Sequence, residues 1–199
     1  MNLDITFGFP EKERRFVAEI IFHAFENKFK NVFGPKKQSI PLISKHLRND
    51  RIIVALSEGS IVGVGGLKFT GKEFFDTTFL ELLSELKFGI LRVIFYGWIF
   101  YSRVEEKEVL LDTLAVTENV RGKGIGTEII NFIIDFARSK GYEQVKLYVI
   151  DINVRAKSLF ERLGFTEVKV HRLLFPWNKI FGFSKTSEMI YNLIGSNKL

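Results

Sequence analysis

Residues 109–127, "VLLDTLAVTENVRGKGIGT", decide the fold because they join an apolar run to a basic turn with three evenly spaced glycines. The run "VLLDTLAV" at 109–116 predicts a buried strand. The following "EIINFIIDFARSKG" at 128–141 has the apolar spacing of a helix and a glycine at its end. The turn between them, "RGKGIGT" at 121–127, therefore lies at the N-terminus of a long helix.

The glycine turn has the features of an anion site. A helix N-terminus carries unpaired N–H groups and about half a positive charge. Glycines at 122, 124 and 126 allow a ligand to approach the backbone closely, and Arg121 and Lys123 add full charges. These features predict a phosphate or pyrophosphate site. The alternative is a glycine-rich helix start without a ligand.

Two other nucleotide motifs do not match this turn. The spacing G-x-x-x-x-G-K-[ST] of a P-loop is absent. A dinucleotide-binding fingerprint requires glycine or alanine where this chain has Thr127.

The remaining pattern predicts one α/β domain over residues 1–199, with a mixed sheet flanked by helices. Strands are predicted at 3–10, 108–116, 144–150, 165–170 and 187–194, and residues 51–69 predict two strands around a tight turn at 58–60. Helices are predicted at 11–33, 39–49, 124–140 and 153–163.

Composition limits the possible functions. The 199 residues include no cysteine, which excludes disulfides, thiolate metal sites and a cysteine nucleophile. The three histidines are far apart, so no metal site is expected. The net charge of +6 favours anionic partners, but basic residues are spread along the chain, so we expect no nucleic-acid binding. The absence of an N-terminal apolar segment and of cysteine predicts a cytoplasmic protein.

Two motifs together resemble those of GNAT-type N-acetyltransferases. "RGKGIG" at 121–126 fits the signature R/Q-x-x-G-x-G/A, five residues after "LAV" at 114–116. Downstream, "INVRAKSLFERLGF" at 152–165 is similar to the second motif, N-x-x-A-x-x-L-Y-x-x-x-G-F. The resemblance covers residues 108–170 well and residues 1–69 by pattern only.

The resemblance implies an acyl-CoA N-acyltransferase fold, in which a mostly antiparallel twisted sheet contains one parallel, splayed pair of strands. It implies acetyl-CoA as co-substrate, a primary amine of unidentified acceptor as the second substrate, and no metal. The pantetheine arm would pair with the strand before the turn, and the pyrophosphate would lie on the amides of the turn. The cofactor-binding residues implied are Leu114, Ala115, Val116, Arg121, Gly122, Lys123, Gly124, Ile125, Gly126, Thr127, Asn153 and Phe160.

The acid and base of the reaction are less defined. The second motif usually has a tyrosine acid where this chain has Phe160, so Tyr148 or a water molecule is the candidate acid. Asp112 is the candidate base, because it lies within an apolar strand where burial would raise the pKa of a carboxyl group. Strict alternation would place residues 110, 112 and 114 on one face.

Residues 70–107 interrupt the pattern and include the apolar run "FGILRVIFYGWIFYS" at 88–102. Three interpretations stay open for this predicted helical insertion: a cover over the acceptor site, a homodimer contact, or a peripheral membrane anchor. An alternative function is a non-catalytic acyl-CoA-binding or membrane-associated sensor.

Overall fold

The computed structural model describes residues 2–69 and 104–194. Its strands are β1 Leu3–Phe7, β2 Ile52–Ser57, β3 Ser60–Phe69, β4 Glu108–Val116, β5 Gln144–Ile150, β6 Thr166–Arg172 and β7 Lys185–Asn192. Its α-helices are α1 Arg14–Ala24, α2 Glu26–Phe33, α3 Lys36–His46, α4 Ile125–Ser139, α5 Val154–Arg162 and α6 Trp177–Phe181.

The described strands form one seven-stranded sheet in the order β1-β2-β3-β4-β5-β7-β6. All neighbouring strands run antiparallel except β4 and β5, which are parallel. The prediction of a mostly antiparallel mixed sheet with one parallel pair is confirmed. The parallel pair lies at the centre of the sheet, on either side of α4 in the sequence.

Helices cover the two faces of the sheet unequally. The back face is the one against which α4 packs, through side chains such as Ile129 and Ile133, which are fully buried. Helices α1 and α3 cover the front face over β2, β3 and the end of β4. The front face of β5, β7 and β6 carries mainly polar side chains, because Lys146, Tyr148 and Glu188 occupy it.

Close packing of α4 requires small residues on β3. A Cβ atom added to Gly63 would lie 2.8 Å from Cδ1 of Ile129 and 3.0 Å from Cγ2 of Ile125. Real Cβ atoms do not approach other atoms this closely. The glycine therefore allows α4 to lie directly on the sheet, which fixes the position of the turn at its N-terminus.

Several predicted boundaries differ from the structure. The helix predicted over 11–33 is interrupted at Phe25, whose backbone leaves helical geometry (φ −127°, ψ 34°), so α1 and α2 are separate. Helix α3 begins at Lys36, three residues before the predicted start, because Pro35 provides its N-terminal boundary. The predicted insertion lies outside the described residues, except for the loop that leads into β4.

The described residues contain neither a candidate membrane-spanning helix nor a metal-binding cluster. Within residues 2–69 and 104–194, no helix is both long and apolar enough to cross a membrane. In the same ranges, no group of three or more histidine and acidic side chains could hold a metal ion.

Candidate active site

A groove opens where β4 and β5 separate. The two strands pair from Glu108 and Gln144 as far as Leu111 and Leu147, and the pairing ends there. Beyond that point β4 stays paired with β3, and β5 stays paired with β7. Only the pairing between β4 and β5 is lost. The edge of β4 that faces β5 therefore carries unpaired backbone N–H and C=O groups over residues 112–116.

The separation begins at a β-bulge in β4. The pairs on either side of the bulge are Gly66 with Thr113 and Leu67 with Leu111. Asp112 therefore has no partner of its own in the ladder. Leu111 and Leu114 both pack into the back-face core, although they are three residues apart. The predicted common face for residues 110, 112 and 114 is thus wrong, because the extra residue reverses the alternation that follows it.

The groove leads to the glycine turn at the start of α4. Gly124 adopts the left-handed conformation with φ +84°, which L-residues rarely occupy. The first helical hydrogen bond is donated by Glu128 N–H to the Gly124 carbonyl. Among the described residues, no acceptor takes the N–H groups of residues 125–127, so these donors are free for a ligand.

Arg121 and Lys123 have different environments within this turn. The Arg121 guanidinium donates from Nε to the Val116 carbonyl at 3.2 Å and lies 3.3 Å from Oε1 of Glu118. It therefore ties the turn to the end of β4. Lys123 is exposed and forms no ion pair in the described part of the chain. Of the two predicted cations, Lys123 is the one without an ion pair among the described residues.

The second motif forms the start and the buried end of α5. Asn153 caps the helix, since its Oδ1 accepts a hydrogen bond from Ala156 N–H at 3.4 Å. Phe160 is 6% exposed and packs 5.9 Å from the ring of Phe165 in the back-face core. A contact of Phe160 with the cofactor stays a prediction, and its packing role is the one visible here. Leu159 of the same helix approaches Gly126, at 3.6 Å from the position of an added Cβ.

Two ion pairs lie on the front face beside the groove, one buried and one partly buried. Nζ of Lys68 is 3.3 Å from Oδ1 of Asp112, and Nζ of Lys146 is 2.5 Å from Oε1 of Glu108. Glu108 also accepts a hydrogen bond from Gln144 Nε2 at 2.7 Å. Asp112 is partly buried, as the sequence predicted, but a lysine accompanies its carboxylate. Charges buried this far from water are tolerated because each has an opposite charge beside it.

Tyr148 lies one position beyond the point where β5 leaves β4. Its register partner on β7 is Glu188. Burial raises the pKa of Tyr148 to about 12, and the negative charges of Glu188 and Glu108 add to the effect. The Lys146 ammonium lies 5.9 Å from the centre of the tyrosine ring. Tyr148 is therefore neutral at physiological pH.

Sequence reasoning missed Glu188 and His171. Oε2 of Glu188 lies 3.0 Å from Nε2 of His171 on β6, and the His171 ring meets the Tyr148 ring edge-on with centroids 6.1 Å apart. Glu188 could have been noticed by the argument used for Asp112, as a carboxylate inside the apolar run "SEMIYNLI". No local signal marks His171, since only strand pairing brings it to this place.

Comparison with known proteins identifies the family of this chain. Residues 18–165 match the model of the family described as "Acetyltransferase (GNAT) family". The chain is 32% identical over 101 residues to mycothiol acetyltransferase of Beutenbergia cavernae, covering 51% of this chain and 33% of that protein. It is 36% identical over 74 residues to thialysine N-epsilon-acetyltransferase of Bos taurus, covering 36% of this chain and 44% of that protein. The chain thus spans less than half the length of these curated relatives.

Solved structures share the fold at low sequence identity. An N-acetyltransferase from Staphylococcus aureus Mu50 superposes with a TM-score of 0.66 at 17% identity, covering 94% of this chain and all of the other. A Bacillus subtilis acetyltransferase solved in complex with CoA gives a TM-score of 0.60 at 12% identity, covering 97% and 100%. Because the family model matches more than half of the chain, the chain belongs to the GNAT family of acetyltransferases.

Proposed function

We propose that this protein transfers the acetyl group of acetyl-CoA to a primary amine of its acceptor. The observation that carries the proposal is the continuity of the groove: β4 and β5 separate after Leu111 and Leu147, and β4 then leads directly into a turn with free amides. An open strand edge followed by an anion site suits a long co-substrate with an amide-bearing arm and a pyrophosphate.

The co-substrate has a matching set of groups along this path. Its pantetheine amides would exchange hydrogen bonds with the open edge of residues 114–116. Its pyrophosphate would accept hydrogen bonds from the amides of residues 125–127, with Lys123 contributing charge. The space above Gly122 and Gly124 is open, since an added Cβ would meet no atom within 4 Å at either glycine. Asn153 and Phe160 would border the groove from α5.

The acceptor would approach from the front face. Asp112 and Tyr148 are the first residues of β4 and β5 beyond the last pair of the parallel ladder, so they flank the opening of the groove. A backbone N–H near Val116 would stabilise negative charge on the thioester oxygen as the amine attacks. The amine attacks only in its neutral form, so the enzyme also needs a route for the proton that an ammonium group carries.

The relatives do not share one acceptor whose identity could be assigned to this protein. The two curated relatives have names that mention different compounds, mycothiol in one and thialysine in the other. What their names share is acetyl transfer. We therefore propose the reaction and leave the acceptor to experiment.

The test is the release of CoA thiol from acetyl-CoA in the presence of a panel of amines, amino acids, polyamines and peptides, after subtraction of amine-free hydrolysis. Amine-dependent release, with an acetylated product of the expected mass, is the expected result. Tight binding of acetyl-CoA without turnover of any amine, amino acid, polyamine or peptide in the panel would contradict the proposal and favour a binding protein.

A further inference from the structure

Three side chains on adjacent strands, Tyr148, Glu188 and His171, form a continuous row on the front face. The Tyr148 ring of β5 meets the His171 ring of β6 edge-on, with centroids 6.1 Å apart, and Nε2 of His171 lies 3.0 Å from Oε2 of Glu188 on β7. Strand β6 lies at the edge of the sheet. The chain of side chains therefore runs from the groove to the margin of the protein.

Exposure increases along this chain. The Glu188 side chain is 18% exposed and the His171 side chain is 45% exposed. Because a carboxylate only accepts hydrogen bonds, neutral His171 carries its hydrogen on Nε2 and directs it to Glu188. The lone pair on Nδ1 is then free to accept a proton. The arrangement is a carboxylate–imidazole pair in which the carboxylate fixes the tautomer of the base.

Glu188 differs from the two other carboxylates described on this face. Asp112 has Lys68 at 3.3 Å, and Glu108 has Lys146 at 2.5 Å. The described ion-pair partner of Glu188 is His171, which is neutral unless it takes up a proton. Protonation of His171 would therefore complete a third ion pair, whereas the first two are already complete.

Building on the proposed function, we propose that His171, oriented by Glu188, accepts the proton that the acceptor ammonium must lose before acetyl transfer. The proton moves from the ammonium nitrogen to Nδ1 of His171, directly or through one water molecule. The neutral amine then forms the N–C bond as the C–S bond breaks, and its second proton ends on the CoA sulfur. The imidazolium returns its proton to solvent, so one proton is released per turnover. Tyr148 is a positioning residue whose ring packs against the His171 ring.

Other ionisable groups lie on the strands around the His171–Glu188 pair. From β5, Lys146 faces the Tyr148 ring, and Glu108 of β4 neutralises Lys146. From β6, Lys169 is the register partner of Glu188. The negative charge of Glu105 also acts on Tyr148. Substitution of any of these groups would shift the pH dependence slightly, so the test replaces the pair itself.

The test compares kcat/KM between pH 6 and pH 10 for the wild type, His171→Gln and Glu188→Gln, using an amine that the wild type acetylates. Removal of a general base lowers rates by about 10²–10⁴, so we expect a loss of about 100-fold for His171→Gln at pH 7. The loss should shrink towards pH 10, where the amine deprotonates without help. His23→Gln, a substitution of an exposed histidine on α1, is the matched control and should keep the wild-type profile.

Two further measurements distinguish a catalytic role of His171 from a purely structural one. Added imidazole should restore activity to His171→Gly, which a residue with a purely structural role would not permit. The ¹⁵N signals of the His171 ring should report an Nε2–H tautomer in the wild type and a tautomer mixture in Glu188→Gln. Acetyl-CoA affinity of all variants should stay within about two-fold of the wild type if they fold.

The outcomes distinguish this inference from the proposed function. A wild type that turns over an amine, together with a His171→Gln variant of unchanged rate and pH profile, overturns the role of His171 alone. A wild type that binds acetyl-CoA and acetylates nothing overturns the proposed function, and the role of His171 with it.

Discussion

Gly124 and Gly141 offer a matched pair of substitutions that tests the cofactor site. They lie just before and shortly after α4, with φ angles of +84° and +76°. A Cβ atom added to either would meet no atom within 4 Å, so alanine at either position strains only the backbone. The left-handed conformation costs an L-residue about 1–2 kcal/mol. The two sites are separated by the 15 residues of α4, which is roughly 22 Å at 1.5 Å per residue.

We expect Gly124→Ala and Gly141→Ala to lower the free energy of unfolding by a similar amount, about 1–2 kcal/mol. Only Gly124→Ala should weaken acetyl-CoA binding, because its methyl group would occupy the open space in front of the free amides of residues 125–127. Loss of one hydrogen bond to a charged group costs about 1.5–3 kcal/mol. Since 1.4 kcal/mol corresponds to tenfold in affinity, the expected loss is about 10- to 100-fold.

The assay is calorimetric titration of acetyl-CoA into each variant, with urea unfolding of the same samples. Titrations of dephospho-CoA and pantetheine would show whether the loss depends on the pyrophosphate, since pantetheine lacks it. Equal affinities for Gly124→Ala and the wild type would refute the assignment of the turn. An equal loss in both variants would attribute the effect to helix stability rather than to a ligand.

Three other substitutions test individual residues. Asp112→Asn should lower kcat/KM by less than about tenfold without changing the dependence of kcat/KM on pH. If kcat/KM of this variant no longer rises with pH, Asp112 and not His171 is the base. Asn153→Ala should cost about 1 kcal/mol of stability through loss of the α5 cap, measured as a lower urea midpoint with unchanged slope. Because the pKa of Tyr148 is raised from 10 to about 12 in the folded protein, its contribution to stability is complete below pH 10 and is lost as pH rises through 12. Absorbance at 295 nm should accordingly show one tyrosine ionising near pH 12, and Tyr148→Phe should remove that step.

The sequence predicted the parts of the fold that local pattern determines. Strand β4 has the predicted ends, and α4 begins and ends within one residue of prediction. Both lie beside strong local signals, an apolar run and glycines with positive φ. The break between α1 and α2 was missed because the apolar spacing continues through Phe25, so periodicity alone showed no interruption.

The side-chain partners at the site could not be predicted in the same way. Lys68 and Asp112 are 44 residues apart in the chain, and they meet only through the antiparallel pairing of β3 with β4. Glu188 meets His171 through the pairing of β6 with β7. Register decides both contacts, and a shift of one residue would turn each side chain to the opposite face. The register of strands separated by long connections has no signature in the sequence.

The bulge at Asp112 links the fold to the proposed chemistry. It follows directly after the last pair of the parallel ladder, Leu111 with Leu147. An extra residue bends its strand and increases the local twist, which accounts for the departure of β4 from β5 at this point. The sequence argument singled out Asp112 for its charge in an apolar strand. Its position in the bulge, with its carboxylate 3.3 Å from Lys68, offers a second reason for an acidic residue there. The ion pair with β3 would hold the bulge in place, so Asp112 would help to keep the groove open, and its predicted role as the base stays a prediction.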